Sequence, residues 1–202
     1  MAARRKQKED GHQAQKARAT REKILRAVVE LINASGYSGA SSTAIAKQAG
    51  ITWGAVQHHF GNKDEILQAV LELARDVYIE SLSSAQLKSG SLEARIDLFV
   101  DKVWEHYKSD LYFAFSEIIM ATRGQASQLS LSKIRVNKQL QSMEAIFDGH
   151  QISKTRLNEA LLFVHRFLAG FAIDRILEPA MPFEALHIQR IKNELLALIQ
   201  PT

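Results

Sequence analysis

The stretch from Ser41 to Lys63 constrains this chain more than any other. It reads Ser-Ser-Thr-Ala-Ile-Ala-Lys-Gln-Ala-Gly-Ile-Thr-Trp-Gly-Ala-Val-Gln-His-His-Phe-Gly-Asn-Lys. Ile45, Ala46 and Ala49 share one face at helical spacing, and Ser41 or Ser42 can cap that helix by accepting a backbone N–H that the first turn leaves unpaired. Gly50 supplies a left-handed residue that ends the helix cheaply. Ile51 is apolar and Thr52 can cap again, so a second helix is expected from about Trp53 to His59, with Ala55, Val56 and Phe60 turned inward. Two short helices joined by a glycine-containing turn form a helix-turn-helix, whose second helix can enter a DNA major groove.

The distribution of charge points the same way. The net charge of +4 conceals an asymmetry: residues 1–63 hold 11 Lys and Arg against 4 Asp and Glu, and the remainder holds 15 against 18. Positive charge beside the helix-turn-helix is what counterion release from DNA would reward; the plainer and less favoured reading of the tail alone is a solvated one. The chain has no Cys, which excludes disulfides, thiolate metal sites and a thiol redox sensor. No run approaches the ~18 apolar residues of a membrane span, and the basic N-terminus lacks the apolar core of a secretory signal, so a cytoplasmic protein is expected. Three prolines and ten glycines in 202 residues favour long helices.

Residues 1–19 are polar and basic, with Arg4, Arg5, Lys6, Lys8, Lys16 and Arg18, and are expected to form a flexible arm able to follow a phosphate backbone or reach a minor groove. A helix capped by Thr20 is expected to run to Ser35, with Gly36 left-handed, its Ile24, Ala27, Val28, Leu31 and Ile32 forming a platform for the motif. Asn62 caps the next helix, with Glu65 placed for a capping box, and the apolar period continues to about Leu87. Further helices are expected over Leu92 to Lys108, capped by Ser91; Asp110 to Arg123; Gln128 to Phe147; Lys154 to Leu177, capped by Ser153; and Phe183 to Ile199. The fold class is therefore all-α, with about nine helices and no strand signal. Three parts are expected: the arm (1–19), the DNA-binding domain (20–65) and a helical effector-binding and dimerisation domain (66–202).

Gly36-Tyr37, Ile45-Ala46, Ala49-Gly50-Ile51-Thr52, Gly54, His59-Phe60 and Lys63-Asp64-Glu65-Ile66-Leu67 resemble, in order and without gaps, the DNA-binding domain of the tetracycline-repressor (TetR) family. The resemblance covers roughly residues 20–67 and implies that Ser42, Thr43, Thr52, Trp53, Gly54, Gln57, His58, His59 and Lys63 meet DNA. Gln57 stands where the family often has Tyr at a backbone-touching position, and Gln can still donate to a phosphate oxygen. Lys63 at a capped helix start forms an anion site. The resemblance also implies an effector pocket among the later helices, where Trp104, Tyr107, Tyr112, Phe113, Ser116, Glu117, Met120 and His165 are the candidates, against the plainer reading of an aromatic core. The last two long helices are expected to form a four-helix dimer interface, with Leu161, Leu168, Ala172, Ile191 and Leu195 in it.

Catalytic and metal motifs are missing: there is no H-E-x-x-H, no Gly-rich phosphate loop and no Gly-x-Ser-x-Gly elbow, so no catalytic residue, metal or cofactor is expected. The resulting expectation is a homodimeric transcriptional regulator, a repressor released from a palindromic operator by a small apolar or aromatic effector. The rival is an all-helical enzyme or carrier of an apolar molecule with an incidental helix-turn-helix. It is disfavoured because the basic excess lies on the first 63 residues rather than around the aromatics.

Overall fold

The computed structural model describes residues 2–124 and 141–200, with side chains from residue 11 onward. The described residues are helical and contain no strand. Their elements are α1 (Ala2–Gly39), α2 (Ser42–Gln48), α3 (Trp53–Phe60), α4 (Lys63–Ser81), a 3-10 turn (Ala85–Lys88), α5 (Leu92–Tyr107), α6 (Asp110–Thr122), α7 (Lys154–Leu177) and α8 (Glu184–Ile199). Most of the helix expected over Gln128 to Phe147 lies outside the described residues, of which 141–144 are helical.

The first helix departs from expectation at its start. Thr20 does not cap it; α1 continues back to Ala2, and the Thr20 hydroxyl donates to the Lys16 carbonyl inside the helix. Ala, Gln, Lys and Arg dominate residues 12–18, all good helix formers, and Arg18 pairs with Glu22 one turn on. Residues 11–19 are exposed, so this extension is a solvated helix rather than a loose arm. The expected break appears at Ser35 and Gly36, where Gly36 takes φ 67°. The helix expected to reach Leu87 stops at Ser81. Ser81 and Ser83 hydroxyls turn back to the carbonyls of Tyr78 and Ile79, the local competition by which serine ends a helix, and Leu87 is buried from the 3-10 turn instead.

The chain forms two compact units, Met1–Leu73 with Phe113–Leu131, and Ala74–Tyr112 with Ser132–Thr202. The first unit thus includes Ile66, Leu67, Val70 and Leu71, all fully buried, beyond residue 65 where the DNA-binding domain was expected to end. The first unit's core is built from Ile24, Val28 and Ile32 of α1, Ile45 of α2 and Val56 of α3, all without solvent contact. The second unit's core draws on Phe99, Val100 and Val103 of α5, Leu161, Val164 and Leu168 of α7, and Ile191 and Leu195 of α8. Burying each such side chain stabilises by roughly 1.5–3 kcal/mol.

That core corrects one expectation. Leu161, Leu168, Ala172, Ile191 and Leu195, expected at a dimer interface, are between 0% and 9% exposed inside the chain's own second unit. The apolar side chains left outside on α7 and α8 are others: Phe163, Phe167, Ile176, Leu177 and Leu186. Helix α7 is apolar over most of its circumference, so periodicity alone does not say which side meets the core. Ser153 precedes α7 as expected, but its side chain makes no capping bond.

Candidate functional site

In the first unit, local chemistry places α2 and α3. The Ser41 hydroxyl accepts from the Ala44 N–H and the Thr52 hydroxyl from the Ala55 N–H, both N-caps as expected. Gly50, at φ 61°, makes the turn between them. Val56 and Phe60, one turn apart, face the core, and Ala55 is only half-buried. This leaves Gly54, Gln57 and His58 exposed and Trp53 half-buried along the opposite face of α3. Thr43 is exposed on α2, with Ser42 beside it half-buried. Nothing but the Thr52 hydroxyl, at 4.0 Å, approaches the place where a Gly54 Cβ would stand, so this face offers open backbone. No Asp or Glu occurs from Ser42 to Phe60. A polar, acid-free helical face suits a polyanion.

Three contacts that the sequence did not reveal hold this face in place. Arg21 of α1 donates to the His59 carbonyl and lies 3.9 Å from the centroid of the Phe60 ring, placing a cation at the C-terminal end of α3, where carbonyls lack partners. Gln48 of α2 donates to Glu30 of α1 at 2.7 Å. Lys63, at the head of α4, holds its ammonium 4.8 Å from the Tyr37 ring centroid. Asn62 caps that head by accepting from the Glu65 N–H at 3.0 Å. The first turn of α4 therefore presents unpaired N–H groups beside a seated Lys.

The residues expected around an effector are divided between the two units. Phe113, Ser116, Glu117 and Met120 belong to the first unit, where Met120 is exposed and Glu117 accepts from the Tyr37 N–H at 3.3 Å. Trp104, Tyr107, Tyr112 and His165 belong to the second. Trp104 is a core strut there. Its indole N–H donates to Glu184 of α8 at 2.6 Å, its ring stacks on Phe171 at 5.1 Å, and 4% of it is exposed.

The other three converge, joined by Tyr78 and His106. The Tyr107 hydroxyl lies 2.5 Å from His165 Nδ1. The His106 ring is 4.6 Å from that of Tyr78 and 5.5 Å from that of Tyr112, and Tyr112 meets Tyr107 edge-on at 4.4 Å. Burial, with His165 adding to it, pushes His106 down to about 4; burial, then Arg166, lowers His165. Burial and the neighbouring Tyr78 and Tyr112 push the Tyr107 hydroxyl up. The cluster is therefore uncharged at neutral pH: three phenols and two neutral imidazoles. Tyr78 of α4, His106 and Tyr107 of α5, Tyr112 of α6 and His165 of α7 come from four helices, and tertiary packing brings them together. A separate cleft of ≈ 430 Å³ is lined by residues of 141–157, among them Glu144, Asp148, His150 and Lys154. Among the described residues, no three His, Asp or Glu are grouped to hold a metal, and no helix is long and apolar enough to cross a membrane.

Residues 24–70 match the family model described as bacterial regulatory proteins, tetR family. This segment is similar to the DNA-binding domain of the TetR family. The HTH-type transcriptional regulator SrpR of Pseudomonas putida is 48% identical over 58 residues, which cover 29% of this chain and 27% of SrpR. The fatty acid metabolism regulator protein of Bacillus subtilis (strain 168) is 27% identical over 126 residues, 62% of this chain and 63% of that protein. The chain thus spans less than two thirds of the length of these curated relatives. A crystal structure of a transcriptional regulator from Rhodococcus sp. Rha1 superposes with TM-score 0.68 at 22% identity, covering 89% of this chain and 95% of that one, and shares the fold. The helix-turn-helix described above lies wholly inside the matched segment.

Proposed function

We propose that this chain is a DNA-binding transcriptional regulator, acting as a repressor of its own or a neighbouring transcription unit, and not an enzyme. The observation that carries the reading is the acid-free face of α3, buttressed by Arg21 and flanked by the capped, Lys-bearing head of α4. Trp53, Gln57 and His58 would meet base edges or the sugar-phosphate wall. Lys63, with the first turn of α4, would hold a phosphate, a contact that sets register without reading sequence.

The protein would act in the cytoplasm as a homodimer, so that two α3 helices reach half-sites about one helical turn apart. The pairing surface would be the exposed Phe163 and Phe167 on α7, with the half-buried Phe171 linking them to His187 at 5.5 Å, and His187 in turn 6.4 Å from Phe183. A small, largely apolar or ring-containing effector would bind the second unit at the uncharged Tyr107, Tyr112, His106 and His165 cluster, which offers aromatic area and a few hydrogen-bonding groups. The similarity to a protein named as a fatty acid metabolism regulator supports an acyl ligand within that class. An effector that favours a conformation unable to bind DNA would release the operator, by its differential affinity alone.

The deciding measurement is a gel shift of the full chain against the duplex upstream of its own coding sequence and against random duplex of equal length, over a range of salt. Preference for the upstream duplex, with affinity falling steeply as salt rises, supports the reading. Equal, salt-insensitive or absent binding to both refutes it.

A further inference from the structure

We infer that Glu117 of α6 is a positioning residue for DNA binding: it fixes the break in α1 so that the Tyr37 ring can seat Lys63. The inference rests on the regulator reading above and assigns a role to a residue that, from sequence, was expected to touch an effector.

The geometry begins at the break. Ser35 takes φ −144° and Gly36 takes φ 67°, so the hydrogen-bond ladder of α1 is interrupted and helical backbone resumes at Tyr37. A resuming turn has N–H groups with no carbonyl behind them, as at any helix start. The Tyr37 N–H donates instead to Glu117 Oε2 at 3.3 Å, from 80 positions away. The same oxygen lies 3.7 Å from where a Gly36 Cβ would be, so the carboxylate sits against the break itself. An anionic acceptor at a helix start is favoured twice, by the N–H group it satisfies and by the positive end of the local dipole. Glu117 thus does for the Tyr37 turn what Asn62 does for α4, but from another helix.

Tyr37 is also the residue on which Lys63 rests, with its ammonium 4.8 Å from the ring centroid. One residue is therefore gripped twice, at its backbone by Glu117 and on its ring by Lys63. Asp64, beside Lys63, adds to the burial that raises the Tyr37 hydroxyl, which keeps the ring neutral under the ammonium. A lysine ordered before phosphate arrives loses less freedom on binding than one free in water. Removing Glu117 should loosen the Tyr37 backbone, displace the ring and return Lys63 to solvent.

The test is a double-mutant cycle read by fluorescence anisotropy on a random-sequence duplex, because a phosphate contact is independent of sequence. Glu117→Gln alone should weaken binding roughly two- to five-fold, the size of an exposed cation–π contact. In the Lys63→Ala background the same change should cost nothing further. Amide exchange at Tyr37 should also be faster in Glu117→Gln, while the helical circular dichroism is unchanged. If Glu117→Gln does not fold, Tyr37→Leu, which keeps the N–H bond and removes the ring, should show the same absence of added cost in the Lys63→Ala background. Equal losses in both backgrounds, or no loss in the wild-type background, overturn the positioning role while leaving the regulator reading intact. A wild-type protein that binds no duplex overturns both.

Discussion

Burial of two neutral histidines makes the second unit acid-sensitive, by an amount that can be worked out for His106. Its ring lies among Tyr78, Tyr107 and Tyr112, with His165 as the other titratable group nearby, and its folded pKa is about 4 against about 6.5 when free. Because the folded value is depressed, the unfolded chain binds the extra proton between pH 6.5 and 4. Stability from this group is therefore complete above about pH 6.5 and is lost as pH falls toward 4. Linkage over that gap gives a loss of about 2–3 kcal/mol between pH 7.5 and pH 4.5, a substantial share of a typical domain's stability. Carboxylates titrate in the same window, so the measurement is differential: urea unfolding of wild type and His106→Phe at several pH values. The Phe ring keeps the aromatic contacts and cannot be protonated. The variant should lose about 2 kcal/mol less than wild type on going to pH 4.5, with the difference vanishing above pH 7. His165, lowered by the same burial, contributes with the same sign and is left in both proteins. Parallel pH profiles for the two proteins, within about 0.5 kcal/mol, would refute the claim that His106 is held neutral by its surroundings.

Two further predictions concern α7 and α8. Phe167→Glu should yield a folded monomer that binds DNA poorly, whereas Leu168→Glu, one position on, should unfold the second unit, because Phe167 is 39% exposed and Leu168 is 0% exposed; sedimentation with circular dichroism separates the two outcomes, and a Phe167→Glu protein that stays dimeric would remove the aromatic ladder from the interface. Phe183 opens α8 at φ 67° with 71% of its surface exposed, a backbone state that an aromatic residue adopts at a cost. Phe183→Gly should raise the urea midpoint, by about 0.5–1 kcal/mol in stability, and a fall of that size would show that the ring's contacts outweigh the strain.

The parts of this structure legible in the sequence are those decided within a few residues. Ser41, Thr52, Asn62 and Ser91 each accept an N–H three residues on, and Gly36 and Gly50 take the positive φ that ends a helix; both features depend on local backbone chemistry. The inward face of α5 was equally readable, since its apolar residues form a narrow stripe of Ile96, Phe99, Val100, Val103, Trp104 and Tyr107, all buried. Helix α7 shows where that logic stops. Leu161, Leu162, Phe163 and Val164 are consecutive and apolar, so periodicity permits several faces, and only packing against α5 and α8 selects Leu161 and Val164 as inward and leaves Phe163 out.

The candidate site divides along the same line. Which residues of α3 face outward follows from Val56 and Phe60 being apolar one turn apart. What holds that face steady does not follow from any local pattern. Arg21 reaches the His59 carbonyl across 38 positions and Glu117 reaches Tyr37 across 80. Read along the chain, Arg21 is one more cation in a basic stretch and Glu117 one more polar group on an aromatic-rich helix. Their roles appear only when the fold brings a charged side chain to a backbone group that a helix end or a helix break has left without a partner. A recognition helix of eight residues is too short to be stable by itself, since isolated helices below ~12–15 residues are marginal in water. The precision with which α3 can be offered to a groove is therefore set by these long-range supports as much as by the residues that would touch DNA.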